Sequence, residues 1–578
     1  RNSFQHCQYP ALTLQEGFFS RSIMSSVAQT RLDFISDIYL REDAERDAYM
    51  QMLIDEGIAE EGMKIAPNNR FPLERVYFTE DMLTKHEACT NSLQQVIDTD
   101  GEDDDAWGAF ETHFSKFMDF TWCSKWDGKK YDIVFYGVSG YTGYLTMQYI
   151  KRVSFRHNKN AYTFAFAGRT VSKVVDMRDR NLADTDMADT VCMRMSYDDP
   201  VSVMDMCKSA KIIINVAGPY MLTPGEILID TCVWTGTHYF DINGELPWCM
   251  RLAELHEKAS KSSAIIMPNA AMAGGIAQML TTFLLTKVRD EYGENEMLAE
   301  AINYGIGGGT GAGTGGGTLA SRLAMNQAGD QVRMRMADPF TLGGFIPKRD
   351  NNGLKEYNIK SGTGVVQSKV RAQDADAALA KLSEDKRNNC FKAPHTYAFF
   401  DTRVARRSNA LLADQCGKPW GLNPNWTQYL YVTPEIMMAS KDSQSTGMAS
   451  AAAGGGVAGE KEALMKAGKY YKQGEGPALE DLSDAWTGMY HWILTENGHE
   501  ARASWNGCDG YFETARVMIE CAMACLHDSD ELLVKNGVIT AGACCSVPAI
   551  RRMVETGIHW DPDGWLPHDK LHPPLGSM

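Results

Sequence analysis

Between Tyr131 and Arg169 the chain reads YDIVFYGVSGYTGYLTMQYI…YTFAFAGR, and this stretch limits the fold more than any other. A short apolar strand, Ile133 to Tyr136, runs into Gly137, Gly140 and Gly143. A helical stretch follows, then a second apolar run ending at Gly168-Arg169. Strand, glycine turn, helix and strand in that order is the layout that receives a dinucleotide pyrophosphate. Glycines let backbone N–H groups approach the phosphates, and the helix N-terminus adds partial positive charge. The spacing is G-x-x-G-x-x-G, with Ser139-Gly140-Tyr141-Thr142-Gly143 at its centre. The plainer alternative is a turn whose glycines let one helix pack closely on a sheet.

The end of the second strand bears on which dinucleotide is held. NAD-binding folds usually place an acid there for the ribose hydroxyls. This chain has Gly168-Arg169-Thr170 instead. The planar fork of Arg169 suits a 2′-phosphate, so NADP is expected, with NAD left open. A solvated loop arginine is the competing reading.

At 578 residues the chain is long enough for about two or three domains. Its net charge of −17 argues against nucleic acid as a partner. Most of that charge is local: residues 1–130 hold 24 Asp plus Glu against 13 Lys plus Arg, or −11. Residues 1–128 therefore form a distinct acidic extension, mainly helical in pattern over Ile38–Gly62. Asp98 to Asp105 reads as a solvated linker, because a calcium loop would need glycine at Asp103 and glutamate at Ala109. Trp107, Phe110, Phe114, Phe117, Phe120, Trp122 and Trp126 give an aromatic helical stripe. Packing on the next domain explains it, and a surface for protein partners is the sharper alternative. The chain begins at Arg1 rather than Met, and Gly17 to Arg31 is Ser-rich, carries Arg and lacks acids. That composition suits an organelle transit signal, mitochondrial or other; otherwise the protein is expected in the cytoplasm.

The longest uncharged run, Ala264 to Thr286, is broken by Pro268, Asn269, Gly274 and Gly275, so no transmembrane span is expected. Fourteen cysteines show no CxxC pair. Cys521 and Cys525 lie one helical turn apart and Cys544-Cys545 are adjacent, yet nothing in the linear sequence makes them converge on a metal. Buried reduced thiols are expected.

Residues 129–270 alternate strand and helix signals. Candidate strands are Ile133–Tyr136, Thr163–Ala167, Val191–Met195, Lys211–Ala217, His238–Ile242 and Ala264–Met267. Short strands joined by helical crossovers predict an α/β architecture, a Rossmann-type doubly wound parallel sheet. Residues 271–500 are assigned to a second α/β lobe, 501–558 to C-terminal helices and 559–578 to an exposed tail. Phe399 to Leu412 reads as a charged strand whose arginines support structure, and Ala449 to Gly459 as a flexible surface loop.

Several segments together resemble the saccharopine dehydrogenase-like oxidoreductase family. They are YDIVFYGVSGYTGYL with AFAGR; Asn215-Val216-Ala217-Gly218-Pro219-Tyr220, then Gly236 through Glu245; Gly315-Gly316-Gly317-Thr318; Asp401-Thr402-Arg403 with Arg406 to Leu411; Gly474-Glu475-Gly476-Pro477; and Gly510-Tyr511 with Gly537 to Thr540. In order they cover roughly residues 131–558. The resemblance implies a Rossmann lobe holding NAD(P) and a second α/β lobe with a mixed sheet on the substrate side. It also implies C-terminal helices that return to the first lobe. Family members include saccharopine reductases and enoyl reductases acting on lipid-linked substrates. One departure concerns the family's Gly-Phe-Asp-Ser-x-Pro stretch, replaced here by Asn269 to Gly275, with Met272 at the aspartate and Gly275 at the proline.

Within that frame Ala217, Gly218 and Pro219 are expected beside the pyrophosphate and the nicotinamide ribose. Tyr220 is a candidate proton donor, or packs on the nicotinamide. Glu245 is a candidate acid or base, or caps the helix opening at Leu246. His238 is read as a core residue. No Tyr-x-x-x-Lys pair occurs, which removes the short-chain dehydrogenase mechanism. Two functions remain: an NADP-dependent oxidoreductase acting on an unknown small-molecule substrate, lipid-like or amino-acid-derived, or a catalytically silent nucleotide-binding subunit of a larger organellar complex.

Overall fold

The computed structural model describes residues 128–154, 162–308, 314–343, 382–433 and 461–566 with isolated gaps, the strands of 354–371, and scattered positions between 88 and 113. The transit-like segment, Ile38–Gly62, the aromatic stripe and Ala449–Gly459 lie outside the described residues. The chain divides into two compact units, one of residues 1–42 and 71–125, the other of 43–70 and 126–578. In the first, Asp103 Oδ1 accepts from the amides of Asp105 (2.9 Å) and Ala106 (3.2 Å), so part of the expected linker caps a helical stretch.

The second unit opens with β1 (Tyr131–Tyr136), α1 (Tyr141–Tyr149), β2 (Phe164–Gly168), α2 (Val171–Leu182), β3 (Cys192–Arg194), α3 (Pro200–Ser209) and β4 (Ala210–Asn215). It continues through α4 (Glu226–Thr235), β5 (His238–Asp241), α5 (Leu246–Glu254), α6 (His256–Ser260) and β6 (Ile265–Met267). These six strands run parallel in the order β3-β2-β1-β4-β5-β6, with β15 (Gly537–Val538) added beside β6. The order reverses between β1 and β4, the switch point at whose carboxyl ends sheets of this kind receive ligands. Ile133, Phe135, Ile212, Ile214 and Phe240 are all completely buried, as two-sided burial of a parallel sheet requires.

Helix α7 (Ala277–Tyr292) leads into a second sheet built from β7 (Leu298–Gly308), β10 (Ser383–Asp385), β11 (Cys390–Pro394), β12 (Asn425–Val432), β13 (Trp486–Thr495), β14 (Glu500–Gly507) and β16 (His559–Asp561). Its order is β10-β11-β12-β7-β13-β14-β16; β12 and β7 are parallel and the other pairs antiparallel, so the sheet is mixed. β8 (Leu354–Ser361) and β9 (Gly364–Arg371) pair with each other alone. The helices here are α8 (Gly316–Asn326), α9 (Asp330–Ala337), α10 (Ala398–Cys416), α11 (Gly510–His527), α12 (Ala541–Cys544) and α13 (Ser546–Glu555). Helix α11 packs on α1 of the first sheet: the Tyr149 and Phe512 rings meet edge to face at 5.7 Å, and Tyr149 Oη donates to Glu520 Oε1 at 2.8 Å. Beneath that contact the buried Arg516 Nε meets Glu513 Oε2 at 2.7 Å. One core joins Rossmann strands, α7, α11 and the inner face of the second sheet.

Two expectations are corrected. Phe399 to Leu412 is part of a helix, α10, whose Phe400, Val404, Leu411 and Leu412 are buried at helical spacing. Its arginines do support structure: Arg403 donates to the carbonyls of Met336 (2.9 Å), Ala337 (3.1 Å) and Phe399 (2.8 Å), and Arg407 to that of Leu342 (2.6 Å). Residues 559–566 are not a tail. β16 pairs with β14, and the Trp565 ring stacks on Tyr490 at 5.0 Å.

A buried polar chain crosses from α7 into the second sheet. Trp426 Nε1 donates to Thr281 Oγ1 (2.9 Å), which meets His491 Nε2 (2.9 Å). His491 Nδ1 faces Asn303 Nδ2 (3.2 Å), and Gln428 Nε2 donates to Asn303 Oδ1 (3.2 Å). Burial lowers the His491 pKa to about 3, so the ring is neutral.

Candidate functional site: the glycine turn at the sheet crossover

The turn after β1 is built so that only glycine fits. Gly137 has φ +93°, and a Cβ there would lie 2.7 Å from the Ala217 Cβ and 2.8 Å from its nitrogen. Gly143 lies in the first turn of α1, where a Cβ would fall 2.5 Å from the carbonyl carbon and oxygen of Val138. These approaches bring β1, β4 and α1 to one point at the crossover. Gly140 is the N-cap of α1 and supplies no side-chain cap. The amides of Tyr141, Thr142 and Gly143 therefore start the helix without intrahelical partners and are free for an anion. Ser139 is exposed at the tip. The Gly137 and Gly143 positions are occupied by close backbone packing against Ala217 and Val138, and the start of α1 beside them has the chemistry that suits a diphosphate.

Ala217, Gly218 and Pro219 sit beside the turn, with Ala217 N held by Asn215 Oδ1 at 2.9 Å. Arg169 is exposed at the carboxyl end of β2, on the same edge of the sheet. Tyr141 projects from α1 into the second lobe. Its ring meets Tyr511 edge to face at 5.5 Å, and a Cβ on Gly476 would strike it at 2.5 Å. Its hydroxyl is buried without a hydrogen-bond partner, and burial raises its pKa. Around it Gly315 N donates to Tyr511 Oη (2.8 Å), and Gly316 N to the Glu475 carbonyl (2.9 Å). Gln473 Nε2 reaches the Gly218 carbonyl at 3.3 Å. The family-like segments around Gly315, Gly476 and Tyr511 thus converge on α1.

The candidate acid groups are differently employed. Tyr220 is buried with its hydroxyl donating to the Asn215 carbonyl (2.8 Å), and its ring lies nearly parallel to Trp248 at 6.3 Å. Burial holds its pKa well above the usual value. In this structure that proton is directed to a main-chain acceptor inside the fold. Glu245 occupies the N-cap of α5 but makes no cap bond. Its carboxylate instead accepts from the amides of Tyr220 (3.0 Å) and Met221 (2.7 Å), and from Ser321 Oγ (2.7 Å) of the second lobe. Burial raises its pKa while these donors oppose the shift. Glu245 therefore fixes the turn after Pro219 and ties it to α8. The sequence spacing gave no sign of this, because the partner amides lie 24 and 25 residues away. His238 is in the core, its Nδ1 accepting from Ile265 N (3.1 Å), with its pKa lowered to about 3 by burial.

Asp401 was not singled out from the sequence as a site residue. It is buried, its Oδ1 accepts from Gly274 N at 2.7 Å, and burial pushes its pKa up to about 7. Gly274 has φ +79° and faces Asn269 and Phe400, so the altered Asn269–Gly275 segment takes a carboxylate from α10 rather than from its own position 272.

No family model matches the chain. Among curated proteins it is similar to trans-acting enoyl reductases. The one from Mycobacterium bovis is 23% identical over 445 residues, 74% of this chain and 97% of that protein. The one from Mycobacterium ulcerans is 26% identical over 448 residues, with the same coverage. Solved structures resembling it include the apo saccharopine dehydrogenase (L-Glu forming) of Saccharomyces cerevisiae, at 12% identity, TM-score 0.38 and coverage of 75% of this chain and 99% of that one. The homospermidine synthase of Legionella pneumophila, in complex with NAD, matches at 9% identity and TM-score 0.39, covering 77% of this chain and 94% of that one. The matches to these enoyl reductases cover about three quarters of this chain and nearly the whole length of each relative.

Proposed function

We propose that this chain is an NADP-dependent oxidoreductase that moves a hydride to or from a lipid-like or amino-acid-derived small molecule. The observation that carries this reading is the Gly137–Gly143 turn, pressed against Ala217 at the crossover and leading into a helix start with no side-chain cap. Those amides bind the diphosphate, and Arg169 pairs with the 2′-phosphate. When bound, the nicotinamide supplies the hydride chemistry. The chain's own work is to orient: Glu245 holds the turn after Pro219, and Tyr511 with Gly315 closes over Tyr141. The enoyl reductase names of the relatives favour a lipid-linked alkene.

The test is a titration of the full chain with NADPH and NADH, followed by intrinsic tryptophan fluorescence. NADPH binds at least about tenfold tighter, and Arg169→Ala removes that preference while leaving NADH unchanged. Binding of neither coenzyme overturns the reading. A second reading is a silent nucleotide-binding subunit of an organellar complex, and one observation favours it: the Tyr220 and Glu245 side chains are both fully engaged in supporting the fold. NADPH binding without turnover of enoyl thioesters, in a protein recovered stoichiometrically in a larger assembly, selects that reading.

A further inference from the structure

The turn at Lys472–Gly476 touches both walls of the sheet crossover. At one end the Gly476 backbone lies on the Tyr141 ring at the start of α1, so close that a Cβ would fall 2.5 Å from two of the ring carbons. At the other, Gln473 Nε2 donates to the Gly218 carbonyl just past β4, at 3.3 Å. Between them the turn closes on itself. Glu475 N donates to the Lys472 carbonyl (2.9 Å), and Glu475 Oε2 accepts from Lys472 N (3.0 Å). Gly474 makes the bend at φ +87°, where glycine is favoured, and a Cβ there would meet nothing within 4 Å.

The two ends are held unequally. Behind Gly476 the chain runs into Pro477, Leu479 and Leu482, all buried, and the Glu475 carbonyl accepts from Gly316 N at 2.9 Å. Gln473 and Gly474 are exposed, and among the described residues the Gly218 carbonyl is the one hydrogen-bond partner of the Gln473 side chain. A segment anchored in the core at one end and fastened by a single surface hydrogen bond at the other can swing about a few residues.

We propose that Lys472–Gly476 is a strap over the coenzyme crevice, lifting at Gln473 to admit or release NADP(H) and closing over it again. The inference rests on the coenzyme reading and adds its regulation: the strap, and not the diphosphate contacts alone, sets the rate of coenzyme exchange. Opening must precede both entry and exit. Weakening the fastening therefore speeds both by the same factor and leaves the affinity unchanged, a signature that a merely structural role does not produce.

The experiment follows NADPH binding to the full chain by stopped-flow fluorescence, with hydrogen exchange across residues 470–477. Gln473→Ala removes one neutral hydrogen bond and should raise kon and koff together about two- to tenfold, with Kd within about twofold of the parent. Gly474→Ala strains the closed bend and should raise both rates about five- to thirtyfold. Both positions are exposed, so the variants keep the parent fold. Gly498→Ala carries the same kind of strain (φ +90°, nothing within 4 Å) in the β13–β14 turn and should leave the rates at parent values. Bound NADPH should slow exchange at 470–477. NADPH that binds with parent rates in both strap variants, or without slowing that exchange, overturns the strap and leaves the coenzyme reading standing. A parent chain that binds no NADPH overturns both.

Discussion

Replacing Gly143 by alanine tests whether close approach at the turn sets its function. The added Cβ would lie 2.3 Å from the Cα of Val138 and 2.5 Å from its carbonyl carbon and oxygen, where ordinary contact begins at 3.4 Å. Helix α1 must therefore retreat by about 1.1 Å, since the obstructing atoms are backbone and have no rotamer to change. Overpacking of this kind costs about 1–3 kcal/mol. The retreat also carries the amides of Tyr141 and Thr142 away from the diphosphate, and a misplacement near 1 Å costs about a hundredfold where geometry is demanding. The assay pairs thermal unfolding with NADPH titration on Gly143→Ala. Gly317→Ala serves as control: it adds the same methyl inside α8 with nothing within 4 Å, and is expected to be neutral or stabilising by about 0.5–1 kcal/mol. If Gly143→Ala matches the control in both stability and NADPH affinity, the close-approach argument fails.

Glu520 gives a pH signature. Burial raises its pKa from 4.5 to about 7, so the folded state holds this proton more tightly than the unfolded chain. Its stabilising contribution is full below pH 4.5 and is lost as pH rises through 7, about 3 kcal/mol in all. Glu520→Gln keeps an acceptor for Tyr149 Oη and should flatten the unfolding temperature between pH 5 and 8; parallel profiles for variant and parent would refute this. Arg516→Met leaves the buried Glu513 without its cation and should cost about 3–5 kcal/mol, whereas the double change Arg516→Met/Glu513→Gln recovers part of it. A double variant no more stable than the single one in chemical denaturation would show that the pair is not coupled.

The Rossmann sheet was legible because its strands are short apolar runs and its turn glycines are punctuation. Ile133–Tyr136 and Lys211–Ala217 differ from β1 and β4 by two residues or fewer at each end. The second lobe was opaque for a physical reason. In α10 the guanidinium of Arg403 is buried by backbone carbonyls, so a charge that reads as surface lies inside and masks the helical period. Glycines in β7 permit contacts that no pattern encodes, as where Gly305 admits the His395 ring. Long-range side-chain meetings were invisible altogether: Glu245 with the amides of Tyr220 and Met221, Asp401 with Gly274, and Cys525 with Cys544 and Cys545.

The polar chain from Trp426 to Gln428 acts as a proofreader of strand alignment. Asn303 donates to His491 Nδ1 and accepts from Gln428, which leaves the imidazole N–H on Nε2, aimed at Thr281. Sliding β7 by one residue against β12 and β13 would present Ile302 or Tyr304 where the amide stands. Three interior polar groups would then lose their partners together, at about 1–3 kcal/mol each. Misregistered pairings are thereby penalised in advance, so the half of the molecule with the weakest sequence pattern still has one preferred alignment of its central strands.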